Sequence, residues 1–116
     1  MRTKVVMKGG PMKFMVFTSP SESGLKAPPT APEYKEQTDR YRQAISDGII
    51  DSIYYGKGRA LLLVNGASET EVEAFLLKLP IAHKMQRQIE PLEDFFEHAA
   101  RVHSRLAAGD AKRDAT

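Results

Sequence analysis

The chain has 116 residues, a formal net charge of +2, 28% charged residues and no cysteine. This length suits one domain, the absence of cysteine excludes disulfides and thiolate chemistry, and we expect a cytoplasmic protein. Lysines and arginines alternate with acidic residues along the chain, so no basic stripe predicts binding to nucleic acid.

The N-terminal segment ends in Gly9-Gly10-Pro11 and lacks the apolar core and cleavage site of a signal peptide. The longest apolar run is Ala60 to Val64, far shorter than the ~20 residues that cross a bilayer. We therefore predict an appendage at 1–11, one domain at 12–108 and a polar tail at 109–116, with no membrane association.

The first half of the chain predicts a strand, a long loop and a helix. Met12 to Phe17 is nearly all apolar and predicts the first strand. Residues 18–33 hold four prolines without an apolar period, which is typical of a lid, a pocket rim or a plain surface loop. Thr30 and Glu33 form a capping-box pattern that begins a helix, and Gly48 ends it. The apolar stripe of this helix is Tyr34, Thr38, Tyr41, Ala44 and Ile45.

The second half predicts three strands and two helices. Ile49 to Tyr55 is a β-branched and aromatic strand, and Gly56-Lys57-Gly58 turns it into the apolar strand at 59–64. A second capping pattern at Ser68 to Glu71 begins a helix that Pro80 ends. His83 to Leu92 alternates as an edge strand ended by Pro91, and a last helix follows up to Gly109.

This order predicts an α+β fold of the ferredoxin-like βαββαβ type, with an antiparallel four-stranded sheet and an additional C-terminal helix. The first and third strands, which this topology places in the centre, are apolar on both faces. Both crossover helices cover the same face, so the C-terminal helix or a second subunit must cover the other. We expect a homodimer, or a higher homo-oligomer, with stacked sheets, which is a dimeric α/β barrel.

Several segments resemble muconolactone isomerases. These proteins show the same order of a glycine and strand, a Ser-x-x-Glu helix, a Leu-Pro pair, a methionine and a final Pro-Leu pair. The matching segments of this chain are Gly58 to Val64, Ser68 to Leu77, Leu79-Pro80, Met85 and Gln88 to Leu92.

The resemblance implies a cofactor-independent, oligomeric isomerase that shifts a double bond in an unsaturated lactone. Such a shift needs a base, a donor for the developing enolate oxygen and protection from water. The resemblance also implies a pocket between the sheet and the first helix. The family's acidic residue there falls on Gln37, with Glu36 adjacent, and its aromatic stretch is represented by Tyr54 and Tyr55.

Candidate residues follow from these patterns. His83 and Arg87 are predicted on one face of the fourth strand, where they would supply a base and an oxyanion donor, or hydrogen bonds at a dimer seam. Glu36 is a candidate base or a solvated helix residue. The candidate catalytic residues are thus Glu36, His83 and Arg87, and the candidate substrate-binding residues are Tyr34, Gln37, Tyr41 and Tyr54. His98 and His103 lie about 140° apart on a helix, so no metal site is predicted.

Two main functions remain open on the sequence. The first is an isomerase-like proton transfer on a small hydrophobic or lactone-like carbonyl compound of aromatic catabolism, without a cofactor. The alternative is a non-catalytic ligand-binding or assembly module with the same barrel. A monooxygenase that uses neither haem nor flavin is a third, weaker option, because the chain has no tryptophan for its pocket.

Overall fold

The computed structural model describes the backbone of residues 12–114 and the side chains of residues 12–109. The predicted appendage at 1–11 lies outside the described residues. The elements in chain order are β1 (Met12–Pro20), α1 (Glu22–Lys26), α2 (Ala31–Ser46), β2 (Ile50–Gly56), β3 (Arg59–Gly66), α3 (Glu69–Leu77), a 3₁₀ turn (Ala82–Lys84), β4 (Met85–Leu92) and α4 (Phe95–Asp114).

The four strands form one antiparallel sheet in the order β2-β3-β1-β4. The two strands with the longest apolar runs are therefore central, as the sequence predicted. Val16 pairs with Leu62 and Phe14 with Val64 in the middle of the sheet. The α+β class and the four-stranded antiparallel sheet are confirmed, and they are compatible with a ferredoxin-like arrangement.

The core lies between one face of this sheet and the helices α2 and α3. Phe14, Val16, Leu62 and Val64 are almost completely buried there. Ala44 of α2 and both Val72 and Leu76 of α3 belong to the same cluster, so the two helices cover the same face. Each fully buried side chain of this size contributes about 1.5–3 kcal/mol to folding.

The opposite face of the sheet is open in the single chain. Its centre consists of Met15, Phe17, Leu61 and Leu63, which are all partly exposed, and we call this surface the open face. The sequence predicted that the central strands are covered on both sides, and the chain by itself covers only one. The helix α4 does not supply the second cover, since its Phe95 and Phe96 are 67% and 77% exposed.

Most of the predicted helix caps and turns are present in the structure. The Thr30 hydroxyl accepts from the Glu33 N–H at 3.3 Å, and Glu33 accepts from the Thr30 N–H at 2.8 Å. Gly48 follows α2 with a φ of 79°. Lys57 and Gly58 both have positive φ, which gives the two-residue turn that suits the twist of a hairpin.

The segment after β1 differs from the predicted loop. The strand continues to Pro20, and residues 22–26 form the short helix α1 with Ser21 as its N-cap. The Ser21 N–H donates to the Lys84 carbonyl at 2.9 Å, so a contact distant in sequence holds this segment. The amino-acid composition of the segment gives no indication of such a long-range contact.

The C-terminal third also differs in detail. His83 lies in the 3₁₀ turn rather than in β4, because the Lys84 N–H donates back to the Ile81 carbonyl. Pro91 lies inside β4, which is tolerated because β4 is an edge strand. The last helix begins after Asp94, whose carboxylate caps it, and continues past Gly109 to Asp114.

Replacing Gly24 by alanine tests how α1 is attached. A Cβ at this buried position would lie 2.1 Å from the Lys84 carbonyl oxygen, so α1 and the 3₁₀ turn would have to separate. We expect the free energy of unfolding to fall by about 1–3 kcal/mol. Urea denaturation followed by circular dichroism measures it. Gly56→Ala is the control, because its Cβ would meet nothing within 4 Å; equal midpoints for the two variants would contradict the described packing.

Candidate ligand-binding site

A cavity of about 520 Å³ lies between α2 and the adjoining ends of the sheet strands. Its walls are mainly apolar and come from α2 and from all four strands. They include Ile45 of α2, Ile53 of β2, Ala60 of β3, Met85 of β4 and, before the 3₁₀ turn, Ile81. Tyr34, Arg42 and Tyr55 are exposed residues that also line it. The volume falls within the range of typical small-molecule sites.

Three neighbouring polar side chains, Thr18, Gln37 and Tyr41, lie together in the cavity lining, and we call them the polar floor. Thr18 ends the buried face of β1 and is 5% exposed, and Gln37 is 4% exposed. The Gln37 Oε1 accepts from the Ile81 N–H at 3.2 Å. Among the described side chains, the buried Thr18 Oγ1 has no partner at hydrogen-bond geometry, although it lies near enough to the Tyr41 phenol to influence its pKa.

The hydroxyl of Tyr41 is held in its neutral form. Burial raises the pKa of Tyr41, and its interactions with Gln37 and Thr18 oppose that rise without cancelling it. A phenol in this state keeps its proton across the physiological range and acts as a hydrogen-bond donor. The polar floor therefore combines two hydroxyl groups and one amide at the side of an apolar cavity.

The structure brings three of the predicted substrate-binding residues together. Tyr34, Gln37 and Tyr41 all line the cavity, whereas Glu36 is exposed and does not. Tyr54 lies on the open face, where it pairs with Leu61. The predicted location of a pocket between the sheet and the first long helix thus agrees with the cavity, but the aromatic residue of β2 that reaches it is a different one.

A β-bulge decides which tyrosine of β2 faces the cavity. The pairing of β2 with β3 shifts between Ile50 and Ser52. Successive strand residues alternate between the faces, and one extra residue reverses the alternation that follows. Ile50 and Tyr55 consequently share the helix-covered face, and Tyr54 points to the other side.

His83 and Arg87 are not placed on one strand face as predicted. His83 is exposed in the 3₁₀ turn, where it is not part of the cavity lining. Arg87 pairs with Thr18 across β4 and β1, and its Nε donates to the Glu73 carboxylate at 3.0 Å. A gap of about 10 Å³ is lined by Arg87 and by the three residues of the polar floor.

Sequence reasoning missed Thr18, Arg42 and Tyr55 as lining residues. Thr18 was assigned to the loop, although Phe14, Val16 and Thr18 continue a single two-residue period that could have placed it on the buried face. Tyr55 depends on the bulge, which leaves no clear local pattern. Arg42 lies one residue after Tyr41 and outside the apolar stripe that was predicted for this helix.

No protein-family model matches the chain, and no curated protein matches it. In the part of the chain that the structure describes, no group of three histidine or acidic side chains is arranged to hold a metal ion. None of the described helices combines the length and the apolar character needed to cross a membrane.

Proposed function

We propose that this protein binds a small, largely apolar organic molecule in the 520 Å³ cavity between α2 and the sheet. The observation that carries the proposal is the combination of apolar walls with a short polar floor. Sites for small molecules typically bury most of the ligand against apolar side chains and orient it with a few polar groups. Thr18, Gln37 and Tyr41 would provide that orientation.

Binding is favoured over proton transfer by the chemistry of the lining. Shifting a double bond next to a carbonyl needs a base near the C–H group as well as a donor for the oxygen. Tyr41 supplies a donor, but none of the described lining residues carries a carboxylate or an imidazole. An isomerase-like reaction, which the resemblance to muconolactone isomerases implies, would require a base from elsewhere.

The experiment uses N-phenyl-1-naphthylamine, an uncharged probe whose fluorescence rises in apolar surroundings. We expect saturable binding by the wild-type chain. In Ala60→Phe the new ring occupies the cavity, and we expect affinity to fall by about tenfold or more, which corresponds to 1.4 kcal/mol.

Ala67→Phe is the matched control, because Ala67 is exposed and does not line the cavity. It adds the same ring without filling the site and should keep the wild-type affinity. Equal binding by wild type and Ala60→Phe would show that the probe binds another apolar surface, such as the open face, and would reject the proposal.

We also propose that the chain forms a homodimer through the open face, in the manner of a dimeric α/β barrel. Across the sheet, one row of this face is Tyr54, Leu61, Phe17 and Gln88, and the next is Ser52, Leu63, Met15 and Glu90. The centre is thus apolar and the margins are polar, which is the anatomy of a protein interface. An apolar patch of this kind is rarely left in water.

A further inference from the structure

The cavity between α2 and the sheet has a buried inner end and an exposed mouth. At the inner end, Thr18, Gln37 and Ile81 are almost completely buried. At the mouth, the side chains of Tyr34 and Tyr55 are largely exposed. A molecule that fills the cavity would therefore bury one end against the protein and keep its other end close to water.

Arg42 gives the mouth of the cavity a positive charge. Among the described residues that line the cavity, it is the one with a charged side chain. Arg42 lies four residues after Thr38 and eight after Tyr34, and this spacing places the three residues on the same face of α2. Its side chain is 75% exposed, so the charge belongs to the mouth and not to the buried inner end.

The guanidinium of Arg42 is only weakly engaged within the chain. Its Nη1 lies 3.6 Å from Oδ1 of Asp39, which is too long for a hydrogen bond. The other carboxylate oxygen of Asp39 accepts from the Lys35 Nζ at 2.7 Å, and this bond is the main cause that lowers the pKa of the Asp39 carboxyl. Asp39 is thus held mainly by Lys35. The Arg42 guanidinium makes no hydrogen bond within the described part of the chain, and its N–H groups can serve a ligand.

We infer that the ligand carries a carboxylate, which pairs with the Arg42 guanidinium at the mouth while a hydrocarbon body fills the apolar interior of the cavity. This inference rests on the proposed binding function and specifies the chemical class of the ligand. A carboxylate at the inner end would lose its hydration without meeting a cation of the described lining. At the mouth it keeps part of its hydration and meets a planar, charged donor of matching geometry.

The test compares 2-naphthoate with 2-acetylnaphthalene, which have nearly the same shape but differ in charge. Each compound is titrated near neutral pH by displacement of N-phenyl-1-naphthylamine. We expect the wild-type chain to bind naphthoate at least as tightly as the ketone, although the anion is the more strongly hydrated of the two. Arg42→Gln should weaken naphthoate binding about fivefold, which is the upper range for an exposed ion pair, and leave ketone binding unchanged.

Two further measurements address the charge itself. Arg42→Glu replaces attraction by repulsion, so it should weaken naphthoate binding more than Arg42→Gln does, again without an effect on the ketone. In the wild-type chain, added salt should weaken the binding of naphthoate and not that of the ketone, because ions screen an exposed pair.

Arg40→Gln is the matched control. Arg40 is an exposed residue of the same helix and does not line the cavity. Its replacement removes the same charge from the chain and should leave the ratio of the two affinities at the wild-type value. This control separates pairing at the mouth from an effect of net charge.

The outcomes separate this inference from the binding proposal. The inference is wrong if the ketone displaces the probe and naphthoate does not. It is also wrong if both Arg42 variants keep the wild-type ratio of affinities, or if Arg40→Gln changes that ratio as much as Arg42→Gln. In each of these cases the cavity still binds the probe and the binding function stands. If the probe itself does not bind, the binding function fails and the inference fails with it.

Discussion

Replacing Leu62 by alanine is expected to lower the free energy of unfolding by about 2–5 kcal/mol. Leu62 is fully buried in the middle of the central strand β3 and pairs with both Val16 and Ile53. Truncation removes apolar contacts and leaves a cavity. Because β3 is paired with a strand on each side, its backbone cannot move to close that cavity. Urea denaturation monitored by circular dichroism would measure the loss. The slope of the free energy of unfolding against urea concentration should be the same as for the wild-type chain.

Leu61→Ala is the matched control, since it is the same substitution at the adjacent position on the other face. In the single chain Leu61 is only partly buried, so the loss at low protein concentration should be clearly smaller than for Leu62. If the open face is covered by a second copy, the effect of Leu61→Ala should grow with protein concentration. A Leu62→Ala loss no larger than that of Leu61→Ala at low concentration would contradict the assignment of the faces.

The sequence was sufficient for those parts of the fold that depend on periodicity and local caps. The apolar runs at Met12 to Phe17 and at 59–64 identified the two central strands, because only these are enclosed by neighbours within the sheet. The Thr30 cap and the Lys57-Gly58 turn form through atoms within four residues of each other. The local sequence is therefore enough to predict these features.

The remaining parts depend on contacts between distant segments. The N-cap of α1, Ser21, donates its N–H to the carbonyl of Lys84, more than sixty residues later in the chain, and no local sequence pattern predicts this bond. The bulge after Ile50 exchanges the faces of Tyr54 and Tyr55, so one predicted ligand residue was replaced by its neighbour. Arg87 was predicted at a site of chemistry, but its partner Glu73 lies on α3, and their meeting depends on the packing of that helix.

The site shows the same division. Tyr34 and Tyr41 could be placed on the buried side of α2 because they follow its helical period, whereas Gln37 was named only through the resemblance to muconolactone isomerases. The two-residue period of β1 could have placed Thr18 on the buried face, but the burial of its hydroxyl without a partner at hydrogen-bond geometry is a property of the assembled layers. The polar floor therefore emerges only when the end of β1 and the middle of α2 are brought together.

A glutamate in place of Leu63 is expected to convert the proposed homodimer into a monomer. Leu63 lies on the central strand β3, at the centre of the open face, where it pairs with Met15 of β1 and Ser52 of β2. Stacking two copies would bring two such carboxylates close together in an apolar layer, and like charges there cost several kcal/mol. Light scattering after size-exclusion chromatography would report the mass, with about twice 12.9 kDa expected for the wild-type chain.

Leu77→Glu is the matched control, because Leu77 is exposed on α3 and is not part of the open face. It introduces the same charge and should leave the dimer mass unchanged. A third variant, Phe96→Glu, separates the sheet from the exposed apolar side of α4. If Phe96→Glu dissociates the dimer and Leu63→Glu does not, α4 makes the interface and the stacked-sheet arrangement is wrong. A wild-type chain that is monomeric at micromolar concentration would rule out both interfaces, and the open face would then have to be covered by something other than a second copy.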